Sequence, residues 1–150
     1  MTELKKTDGA IYEEAVCLME KAQAARSFAY VPYSHFFVGA ALLCEDGSIV
    51  TGCNVENAAY SPGNCAERTA VFKAVSEGKQ RFTAVAVVGA KEGEVPGQDT
   101  ICSPCGVCRQ VLREFCEEGT FRVYMTDGKR LLAYTLEELL PLSFGPSNIK

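Results

Sequence analysis

Three cysteines are the residues of this sequence that are best suited to chemistry. Cys105 and Cys108 form a Cys-x2-Cys pair, a spacing that places two sulfur atoms close enough to bind one tetrahedral zinc ion. Cys65 stands at the predicted start of another helix and can supply a third thiolate. Three protein ligands leave one position on the metal open, which distinguishes a catalytic zinc site from a structural one. We therefore predict one catalytic Zn²⁺ per chain.

Glu67 indicates which reaction this metal site could perform. It follows Cys65 by two residues, so its carboxylate lies near the metal without having to bind it. Such a carboxylate can take a proton from a water molecule on the metal and return it to a substrate nitrogen, as hydrolytic deamination requires. The order Cys-x-Glu and then Pro-Cys-x-x-Cys also matches the known signature of zinc-dependent nucleobase deaminases.

Two other interpretations of the cysteines remain open. Cys102 forms a further Cys-x2-Cys pair with Cys105 and could complete a closed site of four sulfurs, although Pro104 argues against this because it favours a helix start there. A noncatalytic zinc-stabilised interaction module would contain the same metal. The remaining cysteines are expected to be packing residues: Cys17, Cys44, Cys53 and Cys116.

Hydrophobic periodicity predicts the elements that position these residues. Helices are predicted over 11–25, 65–77 and 104–118, and a short one follows the capping box of Thr135 and Glu138. Strands are predicted over 36–44, 48–54, 84–90, 121–126 and 131–134. Asn64 and Ser103 are the predicted N-caps of the second and third helices, so the ligand cysteines lie where helix dipoles favour thiolates.

These elements predict an α/β fold, a three-layer α/β/α sandwich with a mixed five-stranded sheet. The 150 residues, 47% of them hydrophobic, fit a single domain over 1–150. A net charge of −4 lacks the positive field that binds nucleic acid, so no nucleic-acid partner is expected. The longest apolar stretch, Phe36 to Cys44, is too short to span a membrane. The N-terminus lacks a signal-peptide pattern, which favours a cytoplasmic protein with reduced thiols.

Five blocks along the chain carry a resemblance to a known family. They read YSHFFVGAA at 33–41, GCNVENA at 52–58, CAERTA at 65–70, SPCGVCRQ at 103–110 and LPLSFGP at 140–146. In this order they resemble the small, homotetrameric, three-cysteine cytidine deaminases. Phe37 departs from the pattern, because proline is expected there. The resemblance implies deamination of cytidine and 2′-deoxycytidine in pyrimidine salvage.

The resemblance also implies roles for individual residues. Cys65, Cys105 and Cys108 would hold zinc, and Glu67 would be the proton shuttle. Asn54 and Glu56 would bind the ribose 3′-hydroxyl, whose donor and acceptor capacity an amide and a carboxylate can satisfy together. The residues implied around the pyrimidine are Phe36, Tyr60, Ala66, Ser103 and Phe144. A homotetramer is implied, in which Tyr60 and Phe144 act across subunit interfaces.

Two arginines are expected to tune the metal. Zinc with three thiolates carries a net charge of −1, which opposes ionisation of a bound water, and nearby cations would offset that charge. Arg68 and Arg109 follow the ligand blocks directly, so both are predicted to donate hydrogen bonds to the thiolates.

Two related kinds of deaminase are the alternatives to a cytidine deaminase. A deaminase of the blasticidin S type shares the zinc blocks, but the residues from Asn54 to Asn57 favour cytidine. A polynucleotide deaminase is disfavoured because the acidic chain offers no basic stripe for a strand. His35, the single histidine, is interpreted as a structural residue.

Overall fold

The fold is a six-stranded mixed sheet with helices on both faces, seen in a computed structural model that describes residues 1–150. The strands are β1 (Thr2–Leu4), β2 (Phe36–Cys44), β3 (Ile49–Cys53), β4 (Phe82–Lys91), β5 (Arg122–Thr126) and β6 (Leu131–Thr135). The helices are α1 (Ala10–Ala25), α2 (Ala66–Ser76), α3 (Gly106–Arg113) and α4 (Leu136–Leu139). None of these helices has the length and apolar character needed to cross a bilayer.

The sheet has the strand order β1-β6-β5-β4-β2-β3. β4 and β5 pair in parallel and every other neighbouring pair is antiparallel, which confirms the predicted mixed sheet. The expected count of five strands was wrong, because Thr2–Leu4 adds an edge strand along β6. Three residues are too few for an alternating pattern to be recognised in a sequence.

The helices form one layer on each face of the sheet, which confirms the α/β/α sandwich. On one face, α1 packs against Ala84, Ala86 and Val88 of the central strand β4. On the other face, the intervening residues Val85 and Val87 share a core with buried residues of α2, α3 and α4. β4 is therefore covered on both sides, as its continuous apolar sequence predicts.

Two glycines let helices lie directly on the backbone of the sheet. A Cβ atom at Gly39 of β2 would lie 1.9 Å from the carbonyl oxygen of Ala22 in α1. A Cβ atom at Gly52 of β3 would lie 2.5 Å from the backbone oxygen of Ala66 in α2. Neither contact leaves room for a methyl group, so these two glycines set how closely α1 and α2 approach the strands.

The third helix is shorter than predicted at its C-terminal end. It ends at Arg113 rather than at 118, because the backbone tightens to i−3 hydrogen bonds at Glu114 and Phe115. Phe115 then packs its ring against Phe82, at a centroid distance of 5.6 Å, and accepts a hydrogen bond from the Phe82 amide. Contacts with the start of β4 thus replace the last turns of the helix.

Candidate metal and catalytic centre

Cys65, Cys105 and Cys108 form the one cluster in the structure with the composition and spacing of a transition-metal site. Their three Sγ atoms all lie within 4.8 Å of one another, and the Sγ atoms of Cys65 and Cys105 are 3.8 Å apart. A tetrahedral ion with Zn–S bonds of about 2.3 Å places its sulfurs about 3.8 Å apart. The three thiols therefore fit one zinc ion and leave its fourth position to another ligand.

The starts of two helices bring these thiols together. Cys65 is the N-cap of α2 and Cys105 is the N-cap of α3, while Cys108 lies in the first turn of α3 and is fully buried. The predicted caps Asn64 and Ser103 were wrong by one and two residues. Because both cysteines occupy N-cap positions, their side chains lie at the positive ends of the two helices.

The Cys65 thiol is activated by its surroundings. The neighbouring Cys108 thiol and the Arg68 guanidinium lower the pKa of Cys65, whereas the neighbouring Cys65 sulfur and burial raise the pKa of Cys108. The Nη2 atom of Arg68 lies 3.4 Å from the Cys65 Sγ, as predicted for a group that offsets thiolate charge. Its Nε atom is buried and has no hydrogen-bond partner. Cys65 is thus set up to hold anionic sulfur.

Arg109 does not make the expected thiolate contact, and that prediction was wrong. Its Nε atom donates to the Pro104 carbonyl at 2.7 Å and its Nη1 atom to the Leu139 carbonyl at 2.6 Å. Its Nη2 atom lies 3.4 Å from the Ser103 hydroxyl oxygen. Arg109 therefore ties the segment before α3 to the end of α4 instead of contacting a sulfur.

Cys102 does not belong to the cluster, so the closed four-sulfur interpretation is wrong. A Cβ atom at Gly89 would lie 2.4 Å from the Cys102 Sγ and 2.8 Å from Cε1 of Phe36. The Cys102 thiol therefore packs on β4 beside the Phe36 ring. Burial raises the pKa of Cys102 to about 12, as expected for a packing thiol.

Glu67 is the one charged residue of the chain that is fully buried, with 4% of its surface exposed. It lies in the first turn of α2, two residues after the ligand Cys65. Burial raises the pKa of its carboxyl to about 7, so it can hold or release a proton near neutral pH. Ala66 is buried between Cys65 and Glu67.

A cavity of about 330 Å³ opens beside the Cys65 thiol. It is lined in part by Asn54, Glu56, Tyr60, Cys65 and Arg68. The structure thus brings the expected sugar-binding residues and Tyr60 to the same opening as a ligand cysteine. Tyr33 and Asn57 also line this cavity. Their positions in the sequence do not by themselves predict that they lie in its wall.

Asn54 and Glu56 are held in this wall by backbone contacts. The Asn54 Oδ1 accepts from the Val38 amide and its Nδ2 donates to the Phe36 carbonyl, both at 2.9 Å. The Glu56 Oε1 accepts from the Tyr33 amide at 3.0 Å and the Ser34 amide at 3.1 Å. Hydrogen bonds from Ser34 and Tyr33 lower the pKa of Glu56, so this carboxylate stays ionised at neutral pH.

The remaining expected site residues lie at the surface. Ser103 is exposed just before the Cys-x2-Cys pair, and Tyr60 projects with 86% of its surface exposed. Phe144 lies on the C-terminal segment, outside the cavity beside Cys65, and is 61% exposed. A single chain therefore does not bring Phe144 to its own cavity wall.

Comparisons with known proteins agree with this geometry. The family model of the cytidine and deoxycytidylate deaminase zinc-binding region matches residues 13–125. A cytidine deaminase from Sporosarcina psychrophila is 53% identical over 133 residues, which cover 88% of this chain and 92% of the relative. A more distant relative, the blasticidin-S deaminase of Bacillus cereus, is 33% identical over 135 residues, 89% of this chain and 94% of the relative.

Solved structures give the same result. The 1.6 Å crystal structure of cytidine deaminase from Burkholderia pseudomallei matches with a TM-score of 0.69 and 42% sequence identity. The match covers 86% of this chain and 98% of that one. Together with the match over residues 13–125 and the three-thiol cluster, this establishes that the chain belongs to the cytidine and deoxycytidylate deaminase family.

Proposed function

We propose that this chain, acting as one domain over residues 1–150, deaminates cytidine and 2′-deoxycytidine in pyrimidine salvage. Cytidine and water give uridine and ammonia, and the deoxynucleoside reacts in the same way. The observation that carries the proposal is the buried carboxyl of Glu67 beside a three-thiol zinc site. A structural zinc site has no need of a buried acid next to its ligands.

Cys65, Cys105 and Cys108 would hold the zinc ion. When bound, Zn²⁺ supplies a Lewis acid that lowers the pKa of a water molecule towards neutrality. The guanidinium of Arg68 contacts the Cys65 thiolate and offsets the charge of the sulfur ligands. The positive charge of Arg68 thereby offsets the negative charge of the three ligands, so that a zinc ion held by them would still lower the pKa of a bound water molecule.

Glu67 would move the protons of the reaction. Its carboxylate accepts a proton from the attacking water and delivers it to N3 of the pyrimidine, so that the water oxygen can bond to C4. The second proton of that water, now on the C4 hydroxyl, passes through Glu67 to the amino group; the C4–N bond then breaks, the C4 carbonyl forms and ammonia leaves. A carboxyl with a pKa of about 7 suits both directions of transfer at neutral pH.

Asn54 and Glu56 would bind the ribose 3′-hydroxyl. The Asn54 amide makes one backbone hydrogen bond through each of its polar atoms, which leaves a further donor and acceptor free for a ligand. The Glu56 carboxylate accepts its backbone bonds through Oε1, so Oε2 remains free for the sugar. None of these contacts needs a 2′-hydroxyl, which is why both nucleosides are expected substrates.

Phe36, Ala66 and Ser103 would border the pyrimidine from within the chain, and Phe144 from a neighbouring subunit. Tyr60 would contribute from the wall of the cavity beside Cys65, where it would also lie at the subunit interface. The exposure of two large aromatic side chains, Tyr60 and Phe144, supports an assembled enzyme, which we propose to be a cytoplasmic homotetramer. In such an assembly the active sites lie at the subunit interfaces.

The test of this function compares the wild type with Glu67→Gln, a variant of nearly the same shape that cannot shuttle a proton. We expect turnover of cytidine to uridine to fall by roughly 10²–10⁴-fold, the usual share of general acid–base catalysis. The zinc content should stay at one per chain. Conversion is followed by separating the two nucleosides.

Glu77→Gln is the matched control, because Glu77 is an exposed carboxylate at the other end of α2. It should retain full activity. Equal rates for Glu67→Gln and the wild type would remove Glu67 from the mechanism. A zinc-loaded wild type that turned over blasticidin S or a single-stranded oligonucleotide instead of cytidine would assign the site to a related deaminase.

A further inference from the structure

The C-terminal end of α3 holds the segment that carries Phe144. Arg113, the last residue of this helix, has a side chain that is only 11% exposed. Its Nε atom lies 2.8 Å from the Glu118 carboxylate and 2.8 Å from the Ser143 hydroxyl, which itself donates to Glu118. Its Nη2 atom lies 3.4 Å from the Ser147 hydroxyl. One guanidinium thus contacts the C-terminal segment on both sides of Phe144.

Two further contacts fix the backbone at Phe144 itself. A Cβ atom at Gly145 would lie 2.6 Å from Cζ of Arg113, so the guanidinium lies directly against this glycine. The side-chain amide of Gln110, one turn earlier in α3, donates to the Phe144 carbonyl at 2.9 Å. The chain segment is therefore attached to α3 through residues 143, 144, 145 and 147.

The Phe144 side chain stays exposed, although the backbone on both sides of it is held in place. It is 61% exposed although the backbone around it is held by an arginine that is almost buried. Leu142, close before it, has a φ of +53°, a conformation that costs a residue with a side chain roughly 1 kcal/mol or more. A strained and tightly held backbone with an uncovered ring is typical of a side chain that is presented to something outside its own core.

We propose that Arg113, with Glu118 as its counter-ion, is a positioning residue that presents Phe144 to the pyrimidine in an active site of the assembled enzyme. This inference rests on the proposed function. Arg113 lies at the C-terminal end of α3, the helix whose start carries the Cys-x2-Cys ligands. A planar guanidinium suits this role because its fixed fork contacts a carboxylate, a hydroxyl and a glycine backbone at once.

A double-mutant cycle tests this role. Arg113→Met, Phe144→Ala and the double variant are compared in the zinc-loaded enzyme. Each single change should raise the KM for cytidine about tenfold, the order expected for one aromatic–base stack, and leave kcat within about twofold. The double variant should be no worse than Phe144→Ala, because Arg113 acts only through that ring.

Arg81→Met is the control, since Arg81 forms exposed ion pairs with Glu45 and Glu117 and does not contact the C-terminal segment. Its KM should match the wild type. If Arg113→Met does not fold, Gly145→Ala replaces it: the φ of −156° suits any residue, so the added methyl acts only by displacing the guanidinium.

The positioning role would be overturned if the effects of the two single changes multiplied in the double variant. It would also be overturned if the KM were unchanged in Arg113→Met or in Gly145→Ala. In either case, cytidine turnover by the wild type would leave the proposed function intact. A wild type without cytidine turnover would overturn both.

Discussion

At the residue scale, the position of Arg68 on its helix explains why it reaches the metal ligands. Arg68 follows Cys65 by three residues, so the two side chains lie on the same face at the start of α2. The resulting distance of 3.4 Å from Nη2 to Sγ lets the cation stabilise the thiolate form. Without this cation, the net negative charge of three thiolates around the metal would be offset by the helix dipoles alone.

We therefore expect Arg68→Gln to weaken zinc binding by roughly 10- to 100-fold, the usual cost of losing a group that contacts a metal ligand. Activity at limiting zinc should fall in parallel. The measurement is a competition titration against a chelator, followed by the rate of cytidine deamination. Arg122→Gln, an exposed arginine of β5, is the control. Wild-type zinc affinity and activity in Arg68→Gln would contradict the charge argument.

The same helix geometry explains which residue roles the sequence could predict. The spacing of the cysteines predicted a three-thiol cluster that the folded chain does form. Arg109 was predicted to contact a thiolate because it directly follows a ligand block, and it lies four residues after the ligand Cys105, a spacing that shares one helix face. Its guanidinium instead reaches backbone carbonyls of Pro104 and Leu139, partners that no local pattern specifies.

At the element scale, the position of α2 depends on Gly52 in β3. The backbone of α2 lies so close to this strand that a Cβ atom there would come within 2.5 Å of Ala66 and Ala70. α2 begins with the ligand Cys65 and the buried Glu67, so a displacement of this helix moves both groups. Gly39 has the same relationship to α1, which carries no ligand.

This pair of glycines provides a matched comparison. Gly52→Ala and Gly39→Ala should each lower the free energy of unfolding by about 1–3 kcal/mol, because each forces a methyl group into filled space. Only Gly52→Ala should also weaken zinc binding. Chemical denaturation and zinc titration measure the two effects. Equal losses of zinc affinity in both variants would show that α2 does not specifically position the site.

Element types were predictable from local patterns, whereas some ends were not. The capping box of Thr135 and Glu138 starts α4 as predicted, because this interaction is contained in four consecutive residues. The end of α3 depends on Phe115 meeting Phe82, a contact between residues far apart in the chain. Such a long-range contact leaves no local signal in the sequence.

At the scale of the whole molecule, several large apolar side chains remain at the surface. Phe28 is 80% exposed, Tyr60 86% and Phe72 51%, although the chain has two well-buried cores. Scattered exposed hydrophobic residues are normal, but Tyr60 lines the cavity beside Cys65, and an exposed aromatic ring at such an opening favours a contact surface there. The proposed homotetramer would cover these exposed side chains and complete the substrate pocket.

We expect sedimentation equilibrium to give a mass four times the 16.2 kDa of one chain, because an incomplete pocket needs its neighbours. Activity should fall on dilution if subunits dissociate. Tyr60→Ala should raise the KM for cytidine, whereas Tyr12→Ala, on α1 away from the cavity beside Cys65, should not. A fully active monomer would contradict the shared pocket.

The three ligand thiols all lie at the starts of α2 and α3, and none is supplied by a strand. The sheet and the apolar core under α1 thus do not depend directly on the ion. Removal of the zinc ion would therefore abolish catalysis without unfolding the sheet. We expect a metal-free preparation to keep the circular dichroism spectrum of the folded protein and to regain turnover when zinc is added.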